Sequence, residues 1–302
     1  MAKEFVGQEY MAATHGKGLH QESRANRIAG RIAVSFSVFV SVLSVAIMAF
    51  CMFFAICNVD GFSMVTTLNA TGSNADKVLT CNLGEPQRGD IVIFKFYYYN
   101  TRYKSLQTLV EQGNTAAIAT VQSIFPERDK NGYHKYVVKR LIGKAGDKIS
   151  MYRTADGNYY IYLNGQKLDE SYLDPLMSYH SAPSFAQLWN VLNDRNQADM
   201  TDWVNVDYDT YVTQNQYTDV GDGTPSAKML TVPNDHYFII GDNREGDFIQ
   251  YGDSWDGCDF GPLPAENYVS RCVDIIHNHT SLAEYLWQKF VYYVCFGWAW
   301  QK

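Results

Sequence analysis

Ser63 stands in the stretch NVDGFSMVTTLN (58–69), with no histidine nearby and no Gly-x-Ser-x-Gly turn around it. A serine hydroxyl is a weak nucleophile at neutral pH. It needs a base within hydrogen-bond reach, most often histidine and sometimes the neutral amine of a lysine. The seven histidines sit in no recognisable motif with an acidic partner. His236, His277 and His279 lie near other motif-like residues but read as polar strand-end or surface side chains. The lysine route has a candidate in Lys139, 76 positions further on, within YVVKRLIG. A lysine base has to lose its proton, so burial or nearby positive charge must bring its pKa from about 10.4 towards neutrality. On a strand, residues two apart share a face, which gives Lys139 the apolar neighbours Val137 and Leu141. Arg140 has Val138 and Ile142 on the opposite face, so alternation leaves open which cation is buried. A lysine snorkelling from a strand edge fits the same pattern.

The elements that must hold these side chains are mainly β. DIVIFKFYYY (90–99), HKYVVKRLIG (134–143), NYYIYLNG (158–165) and DHYFIIGD (235–242) are β-branched and aromatic runs bounded by Gly, Asp or Asn. SFAQLWNVLNDRNQADMTDWVNVD (184–207) instead has Phe185, Leu188, Leu192 and Trp189 at helical spacing, and reads as an insertion in the β scaffold. TDVGDGTPSAK (218–228) reads as a loop.

Residues 32–57, IAVSFSVFVSVLSVAIMAFCMFFAIC, carry no charge. As a helix this run covers roughly 39 Å, enough to cross a hydrocarbon core of about 30 Å. It is too long for a signal-peptide core, and FFAICNVDG offers a poor cleavage site, so an uncleaved anchor is predicted. Lys3, Lys17, Arg24, Arg27 and Arg31 precede the run, whereas the first basic residue after it is Lys77. The positive-inside rule then keeps residues 1–31, polar and without apolar periodicity, in the cytoplasm and sends the rest across the membrane. The aromatic end YLWQKFVYYVCFGWAW (285–300), interrupted by Gln288 and Lys289, is expected to lie in the membrane interface rather than cross or simply pack. A net charge of -7 and a pI near 5.5 argue against nucleic acid as a partner. The six cysteines form no Cys-x-x-Cys pair; Cys51 and Cys57 read as small apolar residues, and Cys258 and Cys272 could close a loop in an oxidising compartment.

With these residues in view, the chain resembles the type I signal peptidases. VDGFSMVTTL is similar to their nucleophile box, RGDIVIF (88–94) to the following strand box, VVKRLIGKAGDKI (137–149) to the lysine box, and IIGDNREGD...GDS...FGPLPAENYVSR (239–271) to the C-terminal box. All four occur in the family's order. The resemblance implies a mainly β, signal-peptidase-like antiparallel catalytic domain (58–150 and 234–275). A β-rich cap insertion (151–233) interrupts it, one N-terminal transmembrane helix precedes it and an aromatic tail (276–302) follows. It implies Ser63 as nucleophile and Lys139 as general base, with no metal or organic cofactor. The oxyanion would be held by the Ser63 backbone N–H, Gly61 standing where some members carry a second hydroxyl. Met64 should pack beneath the nucleophile turn, and Asp242, Asn243 and Arg244 should brace the lysine strand. The implied substrates are signal peptides of exported preproteins, cut after small-x-small sites on the outer face of the cell membrane, with the bilayer and the secretion machinery as partners. Two departures bear on this. Thr66 replaces the usual proline, and residues inserted after GDNR leave the lysine-orienting position to Asp247, Tyr251 or Ser254, while Trp255 replaces an arginine whose salt bridge is then either absent or supplied by Arg244. These departures also fit a non-catalytic binding protein, and the 177–233 insertion fits a protease specialised for pilins or one cargo.

Overall fold

The computed structural model describes residues 24–65, 67–69, 75–173, 183–193, 203–217, 223–244, 255–277 and 280–291. Thr66, Asp247, Tyr251, Ser254 and the tail beyond 291 lie outside them. The chain divides after Phe53 into two compact units.

In the first unit, α1 (Arg24–Phe53) is a single helix with no buried residue. Its mean hydropathy reaches 2.4, and it is long and apolar enough to cross a membrane. The expected span of 32–57 shifts at both ends. The helix starts among the arginines that precede the apolar run, and it stops at Phe53 because the last apolar residues pair as a strand instead.

That strand opens the second unit. In chain order come β1 (Phe54–Asn58), β2 (Lys77–Cys81), β3 (Ile91–Tyr97), the short helices α2 (Gln107–Glu111) and α3 (Thr115–Ile124), β4 (Glu127–Asp129) and β5 (Gly132–Gly143). Next are β6 (Lys148–Arg153), β7 (Tyr159–Leu163), β8 (Gln166–Lys167), α4 (Pro183–Asn193), α5 (Tyr208–Tyr211), β9 (Val212–Gln214), β10 (Thr224–Pro225) and β11 (Lys228–Thr231). The chain returns through β12 (His236–Ile240), α6 (Gly257–Phe260), β13 (Leu263–Pro264), β14 (Tyr268–Ile276) and α7 (Leu282–Val291).

Among the described residues these strands form two antiparallel sheets. The first runs β1-β2-β14-β3-β5-β12-β13 with β4 beside β5; the second runs β8-β7-β6-β11-β9 with β10 beside β6. The second sheet and α4 belong to the region expected to be a β-rich insertion. The helix predicted over 184–207 is described over 183–193, with Phe185, Leu188 and Leu192 buried and Trp189 at the margin of the same cluster. Residues 203–206 are not helical.

Three apolar clusters hold the unit together. One joins the second sheet to α4 and β12 through Ile149, Met151, Phe185, Leu188 and Phe238. Another lies between the first sheet and α3, with Phe94, Phe96, Val121, Phe125 and Leu141. The third is small and sits under the loop after β1: Val59, Met64, Leu68, Val78 and Ile93. Cys258 and Cys272, which could have closed a loop, are both free thiols. Cys258 is packed into the first cluster, whereas Cys272 lies against the third and donates to the Asp274 carbonyl at 3.3 Å. The aromatic C-terminal segment begins as the helix α7, tied to β14 where the Tyr285 hydroxyl and Lys289 Nζ both reach Asp274.

Candidate active site

Ser63 sits on a tight turn between β1 and β2. Val65 N–H bonds the Phe62 carbonyl and Leu68 N–H bonds the Met64 carbonyl, which winds the chain and aims Met64 inward. Met64 is 1% exposed in the small cluster beneath the turn. A Met64→Ala variant should lose about 2–5 kcal/mol of stability through transfer and cavity terms. Urea unfolding measures that loss, and unchanged stability would mean that the turn does not rest on this side chain. Gly61 has φ +88°, a left-handed conformation that disfavours any residue with a Cβ, so the glycine two before Ser63 is required by the turn itself. From the other side, the Asn243 backbone N–H donates to the Ser63 carbonyl at 3.0 Å and its side-chain Nδ2 donates to the Phe62 carbonyl at 3.2 Å. Asn243 therefore braces the serine turn, not the lysine strand.

Lys139 lies on β5, paired to β3 in the register Val92↔Lys139. Alternation could not choose between Lys139 and Arg140, and the structure buries both, at 3% and 7% exposure. Arg140 has a countercharge. Its Nε and Nη2 reach the two carboxylate oxygens of Asp242, its Nη1 reaches the Gly89 carbonyl, and its guanidinium lies 3.9 Å from the Tyr172 ring centroid. Asp242, fully buried, also accepts from the Thr67 hydroxyl, so one carboxylate ties the end of β12, the lysine strand and the loop that carries Ser63 together. Arg244 does something else. Also fully buried, it pairs with Glu170 at 2.7 Å and donates to the Tyr172 hydroxyl at 3.2 Å, so it reaches the lysine strand only through the ring that Arg140 covers. The ion pair with Asp242 is made by Arg140, and that of Arg244 is made with Glu170. Trp255 joins an aromatic cluster with Phe96, Tyr103, Phe125 and Phe260.

Ser63, Gly61, Lys139 and Asn243 all line one cleft of about 910 Å³. Burial draws the Lys139 amine down to about 8, opposed by the carboxylates of Asp256, Asp259 and Asp242 and assisted by Lys135. Asp256 is the strongest of the opposing charges. It is 2% exposed, accepts from the backbone N–H groups of Gly241 at 3.0 Å and Cys258 at 2.9 Å, and caps α6 in a reciprocal box with Asp259. Burial raises its own pKa, with Lys139 pulling the other way.

One further feature adjoins Lys139. On the edge of β5 opposite β3, β4 covers residues 132–134 and β12 covers 140, 141 and 143. Among the described residues no strand pairs with 135–139 on that edge. It is an open set of backbone donors and acceptors beside the cleft.

Fold and site together define a mainly antiparallel β protein whose cleft brings a turn serine and a desolvated lysine beside an unpaired strand edge. The family is identified by sequence: the model of signal peptidase, peptidase S26, matches residues 32–276, and the chain belongs to that family. It is 23% identical over 209 residues to the probable signal peptidase I-2 of Synechocystis sp. (strain ATCC 27184 / PCC 6803 / Kazusa). That match covers 69% of this chain and 56% of the relative, so this chain spans little more than half of the relative's length. A crystal structure of a signal peptidase I from Enterococcus faecalis V583 is 19% identical, over 63% of this chain and 98% of that one, with a TM-score of 0.27.

Asp256 was not among the residues expected at the site. A signal for it exists in the sequence, because Asp256 directly follows Ser254 and Trp255, where the segment left open for the lysine-orienting position ends.

Proposed function

We propose that the chain is a membrane-anchored serine endopeptidase that removes signal peptides from exported preproteins after small-x-small sites. Neutral Lys139 takes the proton of Ser63 Oγ as it attacks the carbonyl carbon before the scissile bond. The Ser63 backbone N–H donates to the developing oxyanion. Collapse expels the new amine, which takes the proton from the Lys139 ammonium and leaves an acyl ester on Ser63. Lys139 then deprotonates the water that hydrolyses it. The observation that carries this reading is the lining of one cleft by Ser63 and the buried Lys139, at the unpaired edge of β5. A preprotein segment can pair with residues 135–139 as an added strand and so present its peptide bond to Ser63. α1 ends ten chain positions before Ser63, which supports a substrate met soon after it leaves the bilayer, and the basic residues before the apolar run support the outer face.

The test is cleavage of a preprotein by the full-length chain in detergent, with the product sequenced at its new N-terminus. Because the base must be neutral, kcat/KM should rise about tenfold per pH unit at lower pH and level off above about 8. Asp256→Asn removes a carboxylate that favours the ammonium, so this limb should move to lower pH. A shift to higher pH, or none, would remove Asp256 from the electrostatics of the base.

A further inference from the structure

Lys135 is the second lysine of β5, four residues before Lys139, and strand alternation gives it the same face. It lines the same cleft, half-buried, with its Nζ 3.7 Å from the Trp255 ring centroid and 5.7 Å from that of Phe125. Among the described residues no carboxylate is ion-paired with it, although Glu127 lines the cleft too. Burial alone draws its amine down to about 8, the mark of a charge that has lost water without gaining a countercharge. The aromatic rings satisfy one side of the ammonium and leave its remaining donors for the cleft.

The register of an added strand says what those donors would meet. With the cut at Lys139, the residues before it must run back along the open stretch towards 135, because β12 covers 140 and 141, so the first and third fall at the levels of Lys139 and Val137. The same alternation carries the fifth to the level of Lys135. We propose that Lys135, held on Trp255, is a specificity-determining residue that recognises an acidic side chain at the fifth residue before the cut. This rests on the signal-peptide endopeptidase reading given above. An incoming carboxylate supplies a countercharge that the described residues do not, whereas a basic residue at that position places two ammonium groups together in a partly dry cleft.

The test uses the full-length chain in detergent and three internally quenched preprotein-derived peptides, identical but for Glu, Gln or Lys at the fifth residue before the cut. The wild type should cleave the Glu peptide with a kcat/KM about tenfold above the Gln peptide, with the Lys peptide slowest. Lys135→Met should bring the Glu-to-Gln ratio to about one, Lys135→Arg should keep the preference, and Lys135→Glu should invert it in favour of the Lys peptide. Because each readout is a ratio within one variant, a change in the folded fraction does not move it. Equal cleavage of Glu and Gln peptides by the wild type, or a preference that survives Lys135→Met, overturns the subsite and leaves the endopeptidase reading standing. Failure of the wild type to cleave any of the three overturns that reading and the subsite with it.

Discussion

A Lys139→Met variant is expected to lose preprotein cleavage by about 10⁴-fold or more while folding at least as stably as the wild type at pH 7. The two halves of this expectation share one cause. Lys139 is 3% exposed, and its folded pKa of about 8 lies below the 10.5 of an unperturbed lysine. Between these values the folded chain binds fewer protons than the unfolded chain, so stability rises with pH across that window. Above about 10.5 the burial of a neutral amine costs nothing in proton binding. As pH falls towards 8 the stability is progressively lost, and below 8 the full penalty remains, roughly 3 kcal/mol. Methionine fills similar space without a charge, so the variant should lack the pH-dependent rise and gain stability near neutrality. Urea unfolding between pH 7 and 11, beside the cleavage assay, reads both halves. A variant that cleaves normally would show that Lys139 is not the base; one that cleaves poorly because it is unfolded would contradict the stability half.

The second large effect is expected at Asp242. Asp242→Ala leaves the Arg140 guanidinium buried with its Gly89 carbonyl contact but without its carboxylate, and frees the Thr67 hydroxyl on the Ser63 loop. Breaking a buried pair from one side costs about 3–5 kcal/mol, because the remaining charge is uncompensated. In a unit of this size the melting temperature should fall by about 10 °C. Cleavage should fall as well, since the same carboxylate joins the lysine strand to the serine loop. The double variant Arg140→Met with Asp242→Ala tests the cause: with both charges gone, stability should recover most of the loss. Additive losses would mean that the pair is not the reason.

Several of these features could be read from the chain without the structure. The alternation of YVVKRLIG marked β5, and a serine without a histidine pointed to a lysine. What alternation could not settle was the fate of Arg140, because burial of its face depends on Asp242, 102 residues away. The end of the first helix was hidden for a similar reason. Phe54 to Cys57 are as apolar as the residues before them, and they leave the helix to pair with β2, in the register Phe54↔Cys81, a long-range contact with no local mark. The resemblance gives Asp242, Asn243 and Arg244 one shared bracing role. Their partners differ: Arg140 and Thr67, the serine turn, and Glu170 with Tyr172. Trp255 looked like a lost arginine, and only the packed structure shows it as the ring on which Lys135 rests.

The acyl bond is expected to form on Ser63. Full-length wild type and Ser63→Ala, mixed with a preprotein peptide in detergent, quenched in acid and digested, can be compared by mass spectrometry. The dyad reading predicts an ester of the residues before the cut on the peptide that contains Ser63, absent in Ser63→Ala, which should cleave at least about 10³-fold more slowly. Cleavage by Ser63→Ala at the wild-type rate would contradict it.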